Sequence, residues 1–133
     1  MKHIDALLNR HTDQTAWMFG KGPSLDEFEM ALAGPIRICI NESLRAVPSP
    51  TYFFSHDEGP IRNVATEWPE SCRAILQSER AEFAEEHDIP VDLIYVYEKR
   101  YCDNSVRDAS PTSIAKHRYL FGNSGTVHSA IHF

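Results

Sequence analysis

Short apolar runs alternate with longer polar segments along this chain, and each run stops at a turn-forming or charged residue. The runs are rich in β-branched and aromatic residues, which favours strands. The predicted strands are Ala16–Phe19, Ile36–Ile40, 52–54, 73–76 and 93–97, with the aromatic run 119–121 as a sixth. The segments between them carry apolar residues at helical spacing, or acidic residues after a turn. The predicted helices are 3–10, 26–33, 60–68, 79–87 and one that begins near 127.

This alternation of strands and helices predicts an α/β fold. Strands that are joined through helices pair in parallel, and helices then cover both faces of the sheet. We therefore expect a Rossmann-like three-layer sandwich with a mostly parallel sheet of five or six strands. The chain has 133 residues, enough for one such domain, so we predict a single nucleotide-binding unit over 1–133.

Charge and cysteine content narrow the classes of partner. The formal net charge is −6, which argues against binding to a nucleic-acid polymer because phosphate backbones need a basic face. No stretch reaches the roughly 18 apolar residues of a membrane helix, so no membrane partner is predicted. Cys39, Cys72 and Cys102 show no metal or redox spacing, and the first two lie in apolar runs. Buried, reduced thiols and a cytoplasmic location are expected.

The strongest local motif comes directly after the first long strand. It reads Gly20-Lys21-Gly22-Pro23-Ser24-Leu25. Glycine allows positive φ and a close approach of the backbone to a ligand, Ser24 can cap the predicted helix, and Lys21 can supply positive charge. A strand that opens onto a helix N-terminus is a usual phosphate site in α/β proteins. The motif is neither a Walker loop nor a complete GxGxxG, since Leu25 stands at the third glycine position.

Three short motifs resemble a Rossmann-like group with the signature Gly-X-Gly-Pro-Ser-Leu. The group includes bacterial CMP-sialic-acid-dependent sialyltransferases, motility-associated flagellin glycosyltransferases and hydroxymethylpterin diphosphokinase-like proteins. Besides the glycine turn, Cys39-Ile40-Asn41 is similar to the strand-end Asn of the sialyltransferases. The third motif, similar to their Thr-Ser-Gly turn, is Asn123-Ser124-Gly125-Thr126.

The resemblance implies a nucleotide site with named contacts. In those families the glycine turn and the Ser-Gly turn flank the nucleotide, and the strand-end Asn contacts it. The implied ligand-binding residues here are Gly20, Lys21, Gly22, Pro23, Ser24, Asn41, Asn123, Ser124, Gly125 and Thr126. Lys21 stands where the sialyltransferases usually have Asn. Their catalytic His lies well beyond the Ser-Gly helix, at a position this chain does not contain.

Two histidines are candidates for catalysis or ligand contact. His56 and Asp57 follow a predicted strand, at the sheet edge where ligands bind. His56 is a candidate general base or hydrogen-bond donor, and Asp57 can orient it or accept from ribose hydroxyls. A divalent metal at His56-Asp57-Glu58 is the weaker alternative, and no metal site is predicted. His128 lies in the first turn after the Ser-Gly motif, within reach of a bound phosphate.

Two explanations remain for the end of the chain. The predicted helix from 127 has about two turns before Phe133, and no strand follows it. Either the sequence is truncated, or this helix docks on a neighbouring subunit. We expect a homo-oligomer on the second ground.

The predicted function is the binding of a nucleotide or nucleotide-derived ligand at the carboxyl edge of the sheet. In the enzyme hypothesis the protein is a nucleotide-sugar-dependent transferase, with His56 or His128 as base. In the competing hypothesis it is a non-catalytic protein that sequesters a nucleotide or a cyclic-nucleotide signal. No cofactor is predicted apart from the nucleotide or nucleotide-sugar ligand. Because the family's base is missing, binding without turnover is the favoured interpretation.

Overall fold

A parallel sheet forms the centre of the protein. The computed structural model describes residues 1–100 and 119–121. The strands are β1 (Lys2–His3), β2 (Ala16–Phe19), β3 (Ile36–Ile40), β4 (Tyr52–Ser55), β5 (Arg73–Gln77), β6 (Ile94–Arg100) and β7 (Tyr119–Phe121). Their order is β1-β6-β5-β4-β3-β2, β7 also pairs with β6, and every pairing is parallel. The predicted α/β class with a mostly parallel sheet is confirmed.

Both faces of the sheet are buried, which makes it the middle of three layers. Alternate side chains of β3, β4, β5 and β6 enter opposite apolar clusters. On β4, for example, Phe53 belongs to one cluster, whereas Tyr52 and Phe54 belong to the other. The helices α1 (Glu58–Ala65) and α2 (Ser78–Glu86) pack on the Phe53 face through small and branched residues. Continuous runs such as Ile36–Ile40 suit strands that are covered on both sides.

The path of the chain explains what covers each face. From β2 to β6 every strand lies beside the one before it, so right-handed crossovers place α1 and α2 on the same face. The segment from β1 to β2 returns over the opposite face, where Ile4 and Leu7 pack into the second cluster. Further along this segment, the Nε2 of His11 lies 2.7 Å from the hydroxyl of Tyr52. This contact ties the returning segment to β4.

The predicted helix over 26–33 is wrong. Between β2 and β3 the chain forms only two short 3₁₀ helices, Pro23–Leu25 and Met30–Leu32. Eight residues make a marginal helix unless packing holds it, and here tertiary contacts hold a different conformation. Phe28 lies against Trp17 and Phe19, with ring centroids 5.7 Å apart in both pairs.

The predicted helix over 3–10 is also shorter than expected. It is a 3₁₀ helix, Ile4–Leu7, and it is preceded by the short strand β1, which the sequence did not indicate. The apolar spacing of Ile4 and Leu7 therefore marks a buried face correctly, but not a full helix. The aromatic run 119–121 does form a strand, β7, as predicted. The predicted helix from 127 to Phe133 lies outside the described residues.

The expectation of buried cysteines is confirmed for two of the three. Cys39 and Cys72 are buried free thiols, and burial raises the pKa of Cys39 to about 12 despite the Ser43 hydroxyl and Arg37 nearby. Cys102 lies outside the described residues. None of the helices in the described part of the chain has the length and apolar character to cross a membrane.

Candidate functional site

The candidate site lies at the carboxyl edge of β2, β3 and β4. These strands are neighbours in the sheet, with Phe19 beside Cys39 and Ile40 beside Phe54. Neighbouring strands are about 4.8 Å apart, so the residues that follow them lie side by side. Gly20, Asn41 and His56, predicted separately from three motifs, therefore share one edge of the sheet.

The glycine turn does not have the predicted backbone. Gly22 has φ −148° and ψ 159°, which is extended, and neither glycine of the turn requires positive φ. A Cβ at Gly20 would meet nothing within 4 Å. The fold itself therefore does not need glycine here, and open space lies beside the backbone at this position.

The predicted helix N-terminus after the glycine turn is absent. Pro23–Leu25 is a three-residue 3₁₀ helix, and its N-cap is Gly22 without a side-chain hydrogen bond. Ser24 lies in the middle of this turn, so its predicted capping role is wrong. A turn this short has no helix dipole to attract a phosphate. The electrostatic basis of the phosphate prediction is therefore lost at this turn.

Lys21 is paired with a carboxylate. Its Nζ lies 3.7 Å from Oε2 of Glu42, and its side chain is 70% exposed. The other carboxylate oxygen of Glu42 accepts a hydrogen bond from Nδ2 of Asn63 at 3.2 Å. The positive charge that was expected to meet a phosphate is thus partly balanced by Glu42.

Glu42 is a candidate site residue that the sequence reasoning missed. It is the second residue after β3 and lies at the same edge as the glycine turn. In dinucleotide-binding α/β folds, an acidic residue about 20 positions after the glycine turn accepts hydrogen bonds from the ribose. Glu42 has this spacing from Gly22. The spacing and the strand-end position were the signals available in the sequence.

Asn41 has the least satisfied side chain of this edge. Its backbone is left-handed, with φ 55°, a conformation that Asn tolerates better than most residues but that still costs free energy. Its Oδ1 is buried, and no group in the described part of the chain donates a hydrogen bond to it. A buried acceptor without a donor costs about 1–3 kcal/mol. A ligand, an ion or an ordered water commonly supplies the missing partner of such a group.

Ser43 holds the two strand ends together. Its Oγ lies 2.7 Å from the carbonyl oxygen of Phe19 and 3.0 Å from that of Ile40, within donating distance of both. The side chain is buried, so the last residues of β2 and β3 are fixed relative to each other. Asn41 is therefore presented on a rigid base. Nothing local in the sequence marks this role, because it depends on which strands become neighbours.

His56 is buried among aromatic rings. Its ring centroid is 6.0 Å from that of Phe54 and 6.5 Å from that of Tyr97. The backbone of His56 is also held in place, since Nε of Arg80 donates to its carbonyl oxygen at 3.2 Å. His56 thus belongs to the aromatic layer on the second face of the sheet. Only 9% of His56 is exposed, so this placement suits a structural or stacking contact.

Asp57 lies between β4 and α1, and its side chain is exposed. Its backbone N–H donates to Oγ of Ser55 at 3.2 Å, and it is the N-cap of α1 without a side-chain capping bond. Glu58 follows in the first turn and lies 2.7 Å from the guanidinium of Arg80. Carboxylates at a helix N-terminus satisfy its dipole and repel a phosphate. Within the described residues, no three His, Cys, Asp or Glu side chains are grouped to hold a metal ion.

The remaining predicted residues lie outside the described part of the chain. They are Asn123, Ser124, Gly125, Thr126 and His128. The strand before them, β7, pairs with β6, so four strands separate it from β2. Five strand spacings amount to about 24 Å between the end of β7 and the end of β2. Gly20, Asn41 and His56 are brought together by the sheet; the strand end at Phe121 is not adjacent to them.

Comparisons of this chain with protein-family models, with curated proteins and with solved structures return no match.

Glu42 makes the stability of this edge sensitive to acid. Burial opposes ionisation of its carboxyl group, but its own backbone N–H, the Asn63 amide and the Lys21 ammonium outweigh this and lower its pKa below the ordinary 4.5. Its stabilising contribution is therefore complete above pH 4.5 and is lost as pH falls through the lowered value. We expect Glu42→Gln to be less stable than the wild type at neutral pH by up to about 1 kcal/mol, and equally stable in acid.

Urea unfolding at several pH values between 3 and 7 measures this difference. Glu70→Gln is the matched control, since Glu70 is exposed and its change should give the same small difference at every pH. A Glu42→Gln deficit that persists unchanged at the lowest pH would contradict the assignment.

Proposed function

We propose that this protein binds a nucleotide-derived ligand at the carboxyl edge of β2, β3 and β4. The observation that carries the proposal is the buried, unpartnered Oδ1 of Asn41, held at a left-handed strand end beside an open glycine turn. A hydrogen-bond donor of a ligand, such as an amide, amino or hydroxyl group, would satisfy this acceptor. The resemblance of the glycine turn and Asn41 to the Gly-X-Gly-Pro-Ser-Leu group supports a nucleotide as that ligand.

The charges at this edge favour the nucleoside part of the ligand over its phosphates. Glu42 is ionised and lies beside Lys21, and a carboxylate accepts hydrogen bonds well from ribose hydroxyls. Asp57 and Glu58 add negative charge at the start of α1. In this proposal the ribose hydroxyls donate hydrogen bonds to the carboxylate of Glu42. A donor group of the base or of the ribose satisfies Oδ1 of Asn41. A phosphate group would extend past Lys21 towards solvent.

Binding without turnover fits the described residues better than catalysis. His56, the described candidate for a base, packs near Phe54 and Tyr97 and is only 9% exposed. The competing transferase hypothesis requires His128 or a residue from outside this sequence. The binding hypothesis requires only the described edge. A cytoplasmic location would place the protein where nucleotides are abundant and Cys39 and Cys72 stay reduced.

Calorimetric titration with ribonucleotides, their nucleosides and their 2′-deoxy analogues tests the proposal. We expect at least one ribonucleotide to bind, its nucleoside to bind within about tenfold of it, and its deoxy analogue to bind at least about tenfold more weakly. The last effect is the loss of one hydrogen bond to a charged acceptor, about 1.5–3 kcal/mol. Binding of nothing in the panel would refute the proposal.

Turnover is followed in the same samples by adding nucleotide sugars. A binder should leave them intact over many hours, whereas release of the nucleoside phosphate would favour the transferase. Equal affinity for the ribonucleotide and its 2′-deoxy analogue would contradict the assignment of the ribose to Glu42. Phosphate alone serves as a further control, because it should compete weakly with a nucleoside that is held by Asn41 and Glu42.

A further inference from the structure

β2 is the edge strand on one side of the sheet that the described residues form. Among the described strands it pairs only with β3, over the continuous register Ala16–Phe19 with Ile36–Cys39. Ala16 is exposed, and Met18 is 37% exposed. An edge strand presents a row of N–H and C=O groups that can pair with another strand. The opposite side of the sheet differs, since β6 pairs with both β1 and β7 along its outer side.

The usual devices that protect an edge strand are missing from β2. It contains no proline and no charged residue, and its regular register with β3 leaves no bulge. Natural proteins block exposed edges with such features, because an apolar, unprotected edge can pair with another chain. The connection that follows β2 also exposes Leu32, at 64%. This edge is therefore suited to protein–protein contact.

We propose that β2 pairs in an antiparallel manner with β2 of a second copy of this chain, so that two sheets become one. A two-fold axis beside Trp17 places Trp17 opposite its own counterpart and Ala16 opposite Met18 of the second copy. A small residue then faces a large one, and two aromatic residues face each other, which stabilises cross-strand pairs. Such an interface is isologous and closes at a dimer.

Charges at the two ends of the strand agree with this orientation. Asp13 precedes β2, and Lys21 follows it; Lys21 is also 3.7 Å from Glu42, but 70% of its side chain stays exposed and can meet a second carboxylate. Antiparallel pairing brings the acidic end of one strand to the basic end of the other, twice in the dimer. A parallel pairing would put like charges together. The strand is thus complementary to itself, which favours a second copy over an unrelated partner.

Sedimentation equilibrium of the intact chain tests the dimer. We expect the wild type to dimerise at micromolar concentration, and Ala16→Glu or Met18→Lys to weaken the dimer at least tenfold by burying an unpaired charge. Both changes alter exposed side chains, so circular dichroism should stay unchanged. Val91→Lys is the matched control, because Val91 is 39% exposed on the 3₁₀ helix before β6 and should leave the dimer intact.

The double variant Ala16→Glu/Met18→Lys tests the register. Each new carboxylate would then face a new ammonium of the second copy, and dimerisation should return towards the wild-type constant. A second measurement, oxidation of Ala16→Cys/Met18→Cys to a covalent dimer, remains informative even if a charged variant fails to fold. A wild type that stays monomeric at about a hundred micromolar, or single variants that dimerise normally, would overturn the proposal. So would a double variant no better than the singles.

The proposal of a dimer and the proposal of a ligand site can be refuted independently of each other. Nucleotide titration of the monomeric Met18→Lys variant reports on the edge of β2–β4 alone, and sedimentation without nucleotide reports on the β2 edge alone.

Discussion

Replacing Arg37 with methionine should lower the free energy of unfolding by about 3 kcal/mol, which is a large share of the 5–15 kcal/mol typical of a domain. Its guanidinium donates to the carbonyl oxygens of Gly34 at 3.2 Å, Pro48 at 2.6 Å, and Met30 and Ala33 at 3.4 Å. These carbonyls end the irregular segment between β2 and β3, or belong to the loop after β3. One side chain thus closes two connections.

Methionine keeps the apolar stem of Arg37 but leaves these carbonyls without their donor. Lysine should recover less than half of the loss, because an ammonium group lacks the planar fork that reaches several acceptors at once. Urea unfolding measures both variants, and the melting temperature of the methionine variant should fall by about 10 °C. Arg62→Met is the control, since Arg62 is exposed on α1 and its loss should cost less than about 0.5 kcal/mol.

A loss for Arg37→Met as small as that for Arg62→Met would show that the loops hold their shape without the guanidinium. The alternative source of order would then be the packing of Phe28 against Trp17 and Phe19.

Replacing Asn41 with glycine should abolish most nucleotide binding without harming the fold. Glycine adopts φ 55° freely, and the change removes a buried oxygen that lacks a donor. Together these gains offset the greater flexibility of glycine in the unfolded chain, so stability should stay equal or rise by up to about 1 kcal/mol. Affinity should fall at least about tenfold, since the ligand loses a buried hydrogen bond.

Asn9→Gly is the control that separates the effect of relieving a left-handed backbone from the effect of losing the Asn41 side-chain amide. Asn9 is exposed and has nearly the same φ, 56°, but it lies in the segment between β1 and β2 and follows none of the strands β2, β3 or β4. Its variant should show a similar or smaller change in stability and unchanged binding. Calorimetry and urea unfolding of both variants give the comparison. An Asn41→Gly protein that is clearly less stable than the wild type would mean that the amide is structural.

Stability that rises as binding falls is the expected signature of a functional residue. A purely structural residue would lower both together.

Much of the sheet was readable from the chain because its signals are local. Ile36–Ile40 and Ala16–Phe19 are β-branched or aromatic runs bounded by polar or turn residues, and their predicted bounds agree with the strands. The helices near 60 and 79 begin within two residues of the predicted positions, since a proline or a serine marks each first turn. The segment 26–33 failed because its conformation depends on Arg37, and on contacts with Trp17 and Phe19.

The candidate site was predictable in its residues but not in its electrostatics. Strand-end polar residues share one edge in any parallel sheet, which is why Gly20, Asn41 and His56 were predicted together. The pairing of Lys21 with Glu42, by contrast, joins residues that follow two different strands. No local sequence pattern shows that these two strands are neighbours in the sheet. The family resemblance and nucleotide binding stay predictions, to be tested by the titrations above.

The sequence by itself determined the α/β class, the buried thiols Cys39 and Cys72, and the polar residues that end each strand, because these depend on short-range hydrophobic patterns. Only the tertiary structure decided the strand order, the loss of the helix after the glycine turn and the position of β2 at an edge of the described sheet. Those features depend on contacts between residues far apart in the chain, where one guanidinium or one strand neighbour outweighs local propensity. The glycine turn keeps its place at the edge, next to the buried amide oxygen of Asn41 and the pair of Lys21 with Glu42.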